Sequence, residues 1–282
     1  MTKRIMVGTD GSAIGQVALR WAAQFAAATD ATLLVVSAWQ PPFAEIDPAT
    51  YAEQLEEARQ VLETQWCAAA RAIGIEYQPV VIEGDPRSVL LARADEEDAD
   101  LVVVGAHGAR HHRHPLHLGS VTHHLIHHAT RPLAAIPPHV SASKPERVVV
   151  GVDGSDGSAG AVAWCIEYAT ASGAEVIAVH SELPLAEWVS HSDPHSWYRR
   201  AQEEVREWAA PLRDAGVRGR ELVVEHEPAT GLAETAIREQ ADLLVVGARG
   251  RGGFTGLRLG STALKVLHES GLPIVLVPAP TQ

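Results

Sequence analysis

The sequence predicts an α/β fold present twice along the chain, each copy a parallel sheet with helices on both faces. Three observations carry that expectation. The chain repeats itself: IMVGTDGS at 5–12 returns as VVVGVDGS at 148–155, ADLVVVGAHG at 99–108 as ADLLVVGARG at 241–250, and LGS at 118–120 as LGS at 259–261. The offsets are 143, 142 and 141 residues, a drift of two over the whole length, so one module occurs twice. The strand-like runs are short and apolar throughout, as strands buried on both faces are. Helical stretches alternate with those runs, which favours a parallel sheet over hairpins.

Each copy opens with an apolar run (5–7; 148–150) that ends in Gly-x-Asp-Gly-Ser. An Ala-rich helix carrying Trp21 or Trp164 follows, with Ser12 or Ser155 placed to cap it. A second strand is expected at 32–36 and 175–179, then a long helix over roughly 50–73 and 195–215 that stops at Gly74 and Gly216. A third strand (78–82; 221–224) leads to a short helix opened by Pro86 or Pro228, and then to a fourth strand at 101–104 or 243–246. A glycine loop, a helix starting near Gly119-Ser120 or Gly260-Ser261, and a last apolar strand from Pro132 or Pro273 close each copy. The domains are expected at 1–138 and 147–282, joined by a Pro- and Ser-containing linker at 139–146.

With Lys+Arg 23 and Asp+Glu 35 the chain carries −12, shared as −6 by each copy. That balance argues against nucleic acid or an anionic membrane as the main partner. No apolar run is long enough to span a bilayer, and the N-terminal segment lacks a signal-peptide core, so a cytoplasmic protein is expected. The two cysteines have no metal or disulfide spacing. Asn is absent and Lys occurs only at 3, 144 and 265, a bias that hints at a GC-rich genome.

Ligands of such sheets bind beyond the C-terminal strand ends, where the loops after strands 1 and 4 lie. In the second copy Gly247-Ala-Arg-Gly250 precedes Gly260-Ser261-Thr262, which opens a helix. Glycines let backbone N–H groups approach a phosphate, and a helix N-terminus adds more donors. Charge points the same way. No acid lies between Asp100 and Glu146, and only Glu269 follows Asp242, whereas Arg249, Arg251, Arg258 and Lys265, or Arg110 and Arg113, occupy those stretches. Asp10 and Asp153 read either as turn-capping residues or as acceptors for a base or sugar. Neither a Walker nor a dinucleotide glycine motif is present.

GxDGS after strand 1, then G-x2-G-x9-G-[ST] before the last helix, resembles the universal stress protein family over essentially the whole chain, as a tandem pair. The resemblance implies Rossmann-like domains, each a five-stranded parallel sheet of order 3-2-1-4-5. It implies an ATP site, with Mg²⁺ accompanying the nucleotide, in a cytoplasmic bacterial protein that regulates stress response and growth or survival. Carried over, the binding residues are Val152, Asp153, Ser181, Gly247, Arg249, Gly250, Gly260, Ser261 and Thr262 in the second copy. In the first they are Thr9, Asp10, Ala38, Gly105, His107, Gly108, Gly119, Ser120 and Val121. The first copy departs from the motif, with ten residues rather than nine between Gly108 and Gly119 and His, Arg and Pro replacing loop glycines. An internal pseudo-dimer through the last strands, and a homodimer beyond it, are expected.

Nine of the fifteen histidines fall between His107 and His128, and His123/His127 and His124/His128 have the i,i+4 spacing that can chelate a metal. An exposed helix with His near its C-terminal dipole explains them equally, and no metal ligand set is assigned. A third reading has protonated loop histidines strengthening phosphate binding at lower pH. Ser12 and Ser155 lack a His/Asp pairing pattern, so no catalytic residue is assigned and a binding module is expected. The alternatives are a slow ATPase or nucleotidyl-transferring enzyme on this fold, or a scaffold with a His-rich metal surface.

Overall fold

The computed structural model describes residues 3–41, 47–106, 118–141, 143–183, 196–251 and 259–279. The expected site residues His107 and Gly108, Arg110 and Arg113, the loop histidines, Arg258 and the glycines 252, 253 and 256 lie outside the described residues. Two compact units divide the chain, Met1–Lys144 and Pro145–Gln282.

In the first unit β1 (Arg4–Gly8), α1 (Ala13–Thr29), β2 (Thr32–Trp39), α2 (Pro48–Val61) and α3 (Ala68–Ile73) lead to β3 (Tyr77–Glu83). Then come α4 (Pro86–Glu96), β4 (Leu101–Gly105), α5 (Ser120–His128) and β5 (Leu133–Ile136). The strands are all parallel, in the order β3-β2-β1-β4-β5. The second unit repeats this with β6 (Arg147–Gly151), α6 (Asp156–Ser172), β7 (Glu175–Ser181), α7 (Ser196–Trp208), α8 (Ala210–Asp214) and β8 (Gly219–Val224). It ends with α9 (Pro228–Arg238), β9 (Leu243–Gly247), α10 (Ser261–Glu269) and β10 (Ile274–Val277), its parallel order being β8-β7-β6-β9-β10. Both are the 3-2-1-4-5 arrangement that the family resemblance implied.

The apolar strands fill the core. Ile5, Met6 and Val7, like Val148, Val149 and Val150, are buried on both faces of the sheet because helices cover each side. β1 lies between β2 and β4, so the chain leaves it in one direction and returns on its other side. That reversal opens a crevice at the C-terminal edge, and β6 between β7 and β9 does the same. Ser12 and Ser155 cap α1 and α6 by accepting the backbone N–H of Gly15 and Ser158 at 3.1 and 3.2 Å.

The long outer helix is not continuous as expected. In the first unit residues Leu62–Trp66 form a π-helical turn, with the Cys67 N–H donating to the Leu62 carbonyl, before α3 resumes. In the second the helix stops at Trp208 and restarts as α8, where Pro211 has no N–H to donate and its ring crowds the carbonyl four residues back. Both interruptions fall at a tryptophan.

Candidate functional site

A cleft of about 460 Å³ opens at the C-terminal edge of the second unit. All nine residues expected there line it: Val152 and Asp153 after β6, Ser181 ending β7, Gly247, Arg249 and Gly250 after β9, and Gly260, Ser261 and Thr262 at the start of α10. His180, Glu182 and Arg251 join them.

Asp153 organises the turn. Its Oδ1 accepts the Ser155 N–H at 3.0 Å and the Ser155 hydroxyl at 2.5 Å, which is the Asx-turn reading of this residue. Its Oδ2 accepts the backbone N–H of Arg251 at 3.0 Å, so the same carboxylate also binds the glycine loop to the turn. Burial alone would raise this carboxyl, but the Ser155 and Arg251 hydrogen bonds outweigh it and hold it below the ordinary 3.8. A Cβ on Gly250 would lie 2.5 Å from Asp153 Oδ2, which is why the loop carries glycine there. Gly157, on the first turn of α6, leaves no room for a Cβ against the Arg249 carbonyl, so helix and loop touch backbone to backbone.

The helix termini that meet the cleft differ in how their N–H groups are satisfied. α6 is capped by Ser155, and α9 by the Glu227 carboxylate, which accepts from Ala229 and Thr230 at 3.1 and 3.2 Å. α10 starts at Gly260 with no capping side chain. The first-turn N–H groups of α10 have no intrahelical acceptor and the positive end of the helix dipole behind them, an arrangement suited to a phosphate or other anion.

Two electrostatic details refine the picture. Lys265 Nζ donates to Glu227 Oε1 at 3.0 Å, so that cation is committed to a side-chain partner, whose carboxyl is lowered although burial opposes it. Carboxylates also reach the cleft. The acid-poor segments supply the glycine loop and the start of α10, while Asp153 follows β6, as expected, and Glu182 follows β7, with Glu182 accepting from Arg200 at 2.9 Å.

The first unit has a matching cleft of about 510 Å³ lined by Thr9, Asp10, Ala38, Gly105, Gly119, Ser120 and Val121. Asp10 Oδ1 accepts the Ser12 N–H at 3.0 Å, and α5 starts at Gly119 without a capping side chain, as α10 does at Gly260. The extra loop residue does not alter the loop's base. The Gly119 N–H donates to the Ala106 carbonyl at 2.9 Å, and the Gly260 N–H to that of Ala248 at 2.7 Å. Asp85 caps α4, and the Arg87 side chain hydrogen-bonded to it holds its carboxyl at about 2.

On α5 the rings of His124 and His128 stack at 4.1 Å, and those of His123 and His127 lie 4.8 Å apart. Burial, then the neighbouring charges, lower His124 and His127 from 6.5. Among the described residues no cluster of three or more metal-ligating side chains occurs.

Sequence reasoning missed Trp66 and Trp208. Each packs on the glycine of the turn after the unit's first strand, Gly11 (φ 73°) or Gly154 (φ 75°). The available signal was their offset of 142 residues, which falls within the repeat's own 141–143.

Comparison with known proteins agrees with this architecture. The profile of the universal stress protein family matches residues 1–137 and again 145–278. A universal stress protein of Mycolicibacterium smegmatis is 30% identical over 290 residues, covering 97% of this chain and 96% of that one. One from Mycobacterium tuberculosis is 30% identical over 291 residues, covering 96% and 95%. The crystal structure of a universal stress protein from Archaeoglobus fulgidus superposes with a TM-score of 0.76 at 18% identity, covering 98% of each chain, a likeness of fold.

Proposed function

Because the chain belongs to the universal stress protein family, we propose that it is an ATP-binding regulatory module acting in stress response and in the control of growth or survival. One observation carries the nucleotide reading. In each unit a single cleft joins the turn Asp, the end of the second strand, the base of the glycine loop and a helix N-terminus without a side-chain cap. Volumes of about 460 and 510 Å³ are within the range of small-molecule sites.

In this reading the N–H groups of Ser261 and Thr262, or Ser120 and Val121, take the terminal phosphates, with Gly247, Arg249 and Gly250 along the chain of phosphates and ribose. Val152, Asp153 and Ser181, or Thr9, Asp10 and Ala38, form the base end. His107 and Gly108 belong to the same proposal for the first unit. Mg²⁺ would arrive with the nucleotide and neutralise phosphate charge.

Binding rather than turnover is the reading taken because no hydrogen bond joins the turn serines to a histidine that would activate them among the described residues. Ser12 and Ser155 cap helices, and the Ser181 hydroxyl donates to the His226 carbonyl at 2.9 Å. A cytoplasmic location, a bacterial source, the domain limits 1–138 and 147–282 with their linker, an internal pseudo-dimer and a homodimer are parts of the same proposal.

Mass analysis of nucleotide released from purified protein tests the reading, followed by calorimetry with added ATP. Bound or titratable ATP is expected, weakened at the second cleft by Gly250→Ala. No released nucleotide together with no binding heat would reject it.

A further inference from the structure

The outer helix of each unit is interrupted at a tryptophan, by a π-helical turn ending at Trp66 and by the proline-enforced break after Trp208. Interrupting a helix forfeits backbone hydrogen bonds, yet two different devices deliver the indole to the same place, the glycine turn after the unit's first strand. We infer that these tryptophans are positioning residues of the two clefts, and that Trp208 ties three ligand-facing segments of the second cleft to its outer helix. The inference takes its ligand from the nucleotide reading above, but the geometry it invokes is present without one.

The contacts of Trp208 define the role. A Cβ on Gly154 would lie 2.6 Å from its Cε2, so the indole closes directly on the backbone between Asp153 and Ser155. The Arg251 guanidinium sits over the ring at 4.5 Å from the centroid, while the backbone N–H of Arg251 donates to Asp153 Oδ2 at 3.0 Å. The third contact is His180, whose ring meets the indole edge-on at 5.0 Å. His180 Nδ1 donates to the Val152 carbonyl at 3.0 Å, and its Nε2 lies 3.2 Å from Glu182 Oε2.

One ring thus bears on the turn after β6, the end of β7 and the loop after β9. Each contact is modest, and an aromatic face is what they share, since a cation and a ring edge both prefer the π surface to an aliphatic one. Leucine at this position would fill much of the space without offering that face, whereas phenylalanine retains it.

The test uses the full chain with Trp208→Leu, Trp208→Phe and Arg251→Gln. Hydrogen exchange of the Ser155 amide and of the amide at position 251, both held by Asp153, is followed by NMR without nucleotide, with the sheet amide of Val150 as control. ATP affinity is measured by calorimetry. Trp208→Leu is expected to speed exchange at both Asp153-bound amides about tenfold, to leave Val150 unchanged and to weaken ATP about tenfold. Trp208→Phe should stay within about threefold of the parent in both measurements. Arg251→Gln should speed exchange at position 251 while sparing Val150, and it carries the test alone if leucine prevents folding. Unchanged exchange in Trp208→Leu and Arg251→Gln, equal effects of Leu and Phe, or parallel acceleration at Val150 would overturn the inference. If the parent protein binds no ATP, the nucleotide reading falls while the exchange measurements still decide the positioning role.

Discussion

Asp153 shows how one side chain can satisfy two readings at once. It makes the Asx-turn that local sequence suggested, and with its other oxygen it holds the glycine loop through Arg251. Only the first bond was legible from GxDGS, because the second joins residues 98 apart. Its carboxyl is depressed in the folded state, so its stabilisation is complete above the unfolded value of 3.8 and is lost as pH falls through the lower folded value. Asp153→Asn is therefore expected to lower the urea midpoint at pH 6, and the difference from the parent should shrink as acid is added below pH 4. Gly157→Ala meets a backbone carbonyl, which cannot rotate away as a side chain can, and should cost about 1–3 kcal/mol in urea unfolding. The 142-residue offset could mark the tryptophans as a repeated pair, but not what they or Gly157 touch, since a glycine or Trp on an Ala-rich or amphipathic helix has no local signature of what it will meet.

At the level of elements, helix starts were the most readable feature, because a cap is built from neighbours in sequence. Ser12 and Ser155 cap as expected, and Pro86 and Pro228 open α4 and α9 behind the acidic caps Asp85 and Glu227. The contrast between those capped helices and α5 and α10, which begin at glycine, is what the proposed anion site rests on. The continuous outer helix was misjudged. Pro211 was the visible warning in the second unit, whereas the π-turn in the first has no proline to announce it. Glu227→Ala removes both the cap of α9 and the partner of Lys265, and should cost about 1 kcal/mol, most of it from the cap. Lys265→Met, which breaks only a half-exposed ion pair, should cost about 0.5 kcal/mol or less. Paired urea titrations of the two variants check the order.

On the scale of the whole molecule, the repeat gives each unit a cleft built from equivalent positions, and the nucleotide site is therefore proposed twice. The two loops close on the same backbone bond, from Gly119 to Ala106 and from Gly260 to Ala248, despite their different lengths. Titration of the full chain is accordingly expected to saturate at two nucleotides, and Gly250→Ala to weaken one of the two sites about tenfold by pushing on Asp153. Calorimetric stoichiometry checks this. A single site in the parent would overturn the expectation of two. No helix among the described residues is long and apolar enough to cross a membrane.

The two-fold repeat, the parallel α/β class, the strand positions and the stretches that line the clefts are all legible along the chain. Those properties follow from periodicity, capping and turn chemistry, which act between residues close along the chain. The tertiary structure alone decided which charges meet. It paired Lys265 with Glu227, brought Glu182 into a cleft whose own loop lacks acid, and set Trp208 against Gly154, Arg251 and His180. Such contacts depend on distances across separate strands and helices, to which a short sequence window is blind. The net charge argued against nucleic acid as a partner, and the proposed phosphate site rests on how that charge is arranged within the fold.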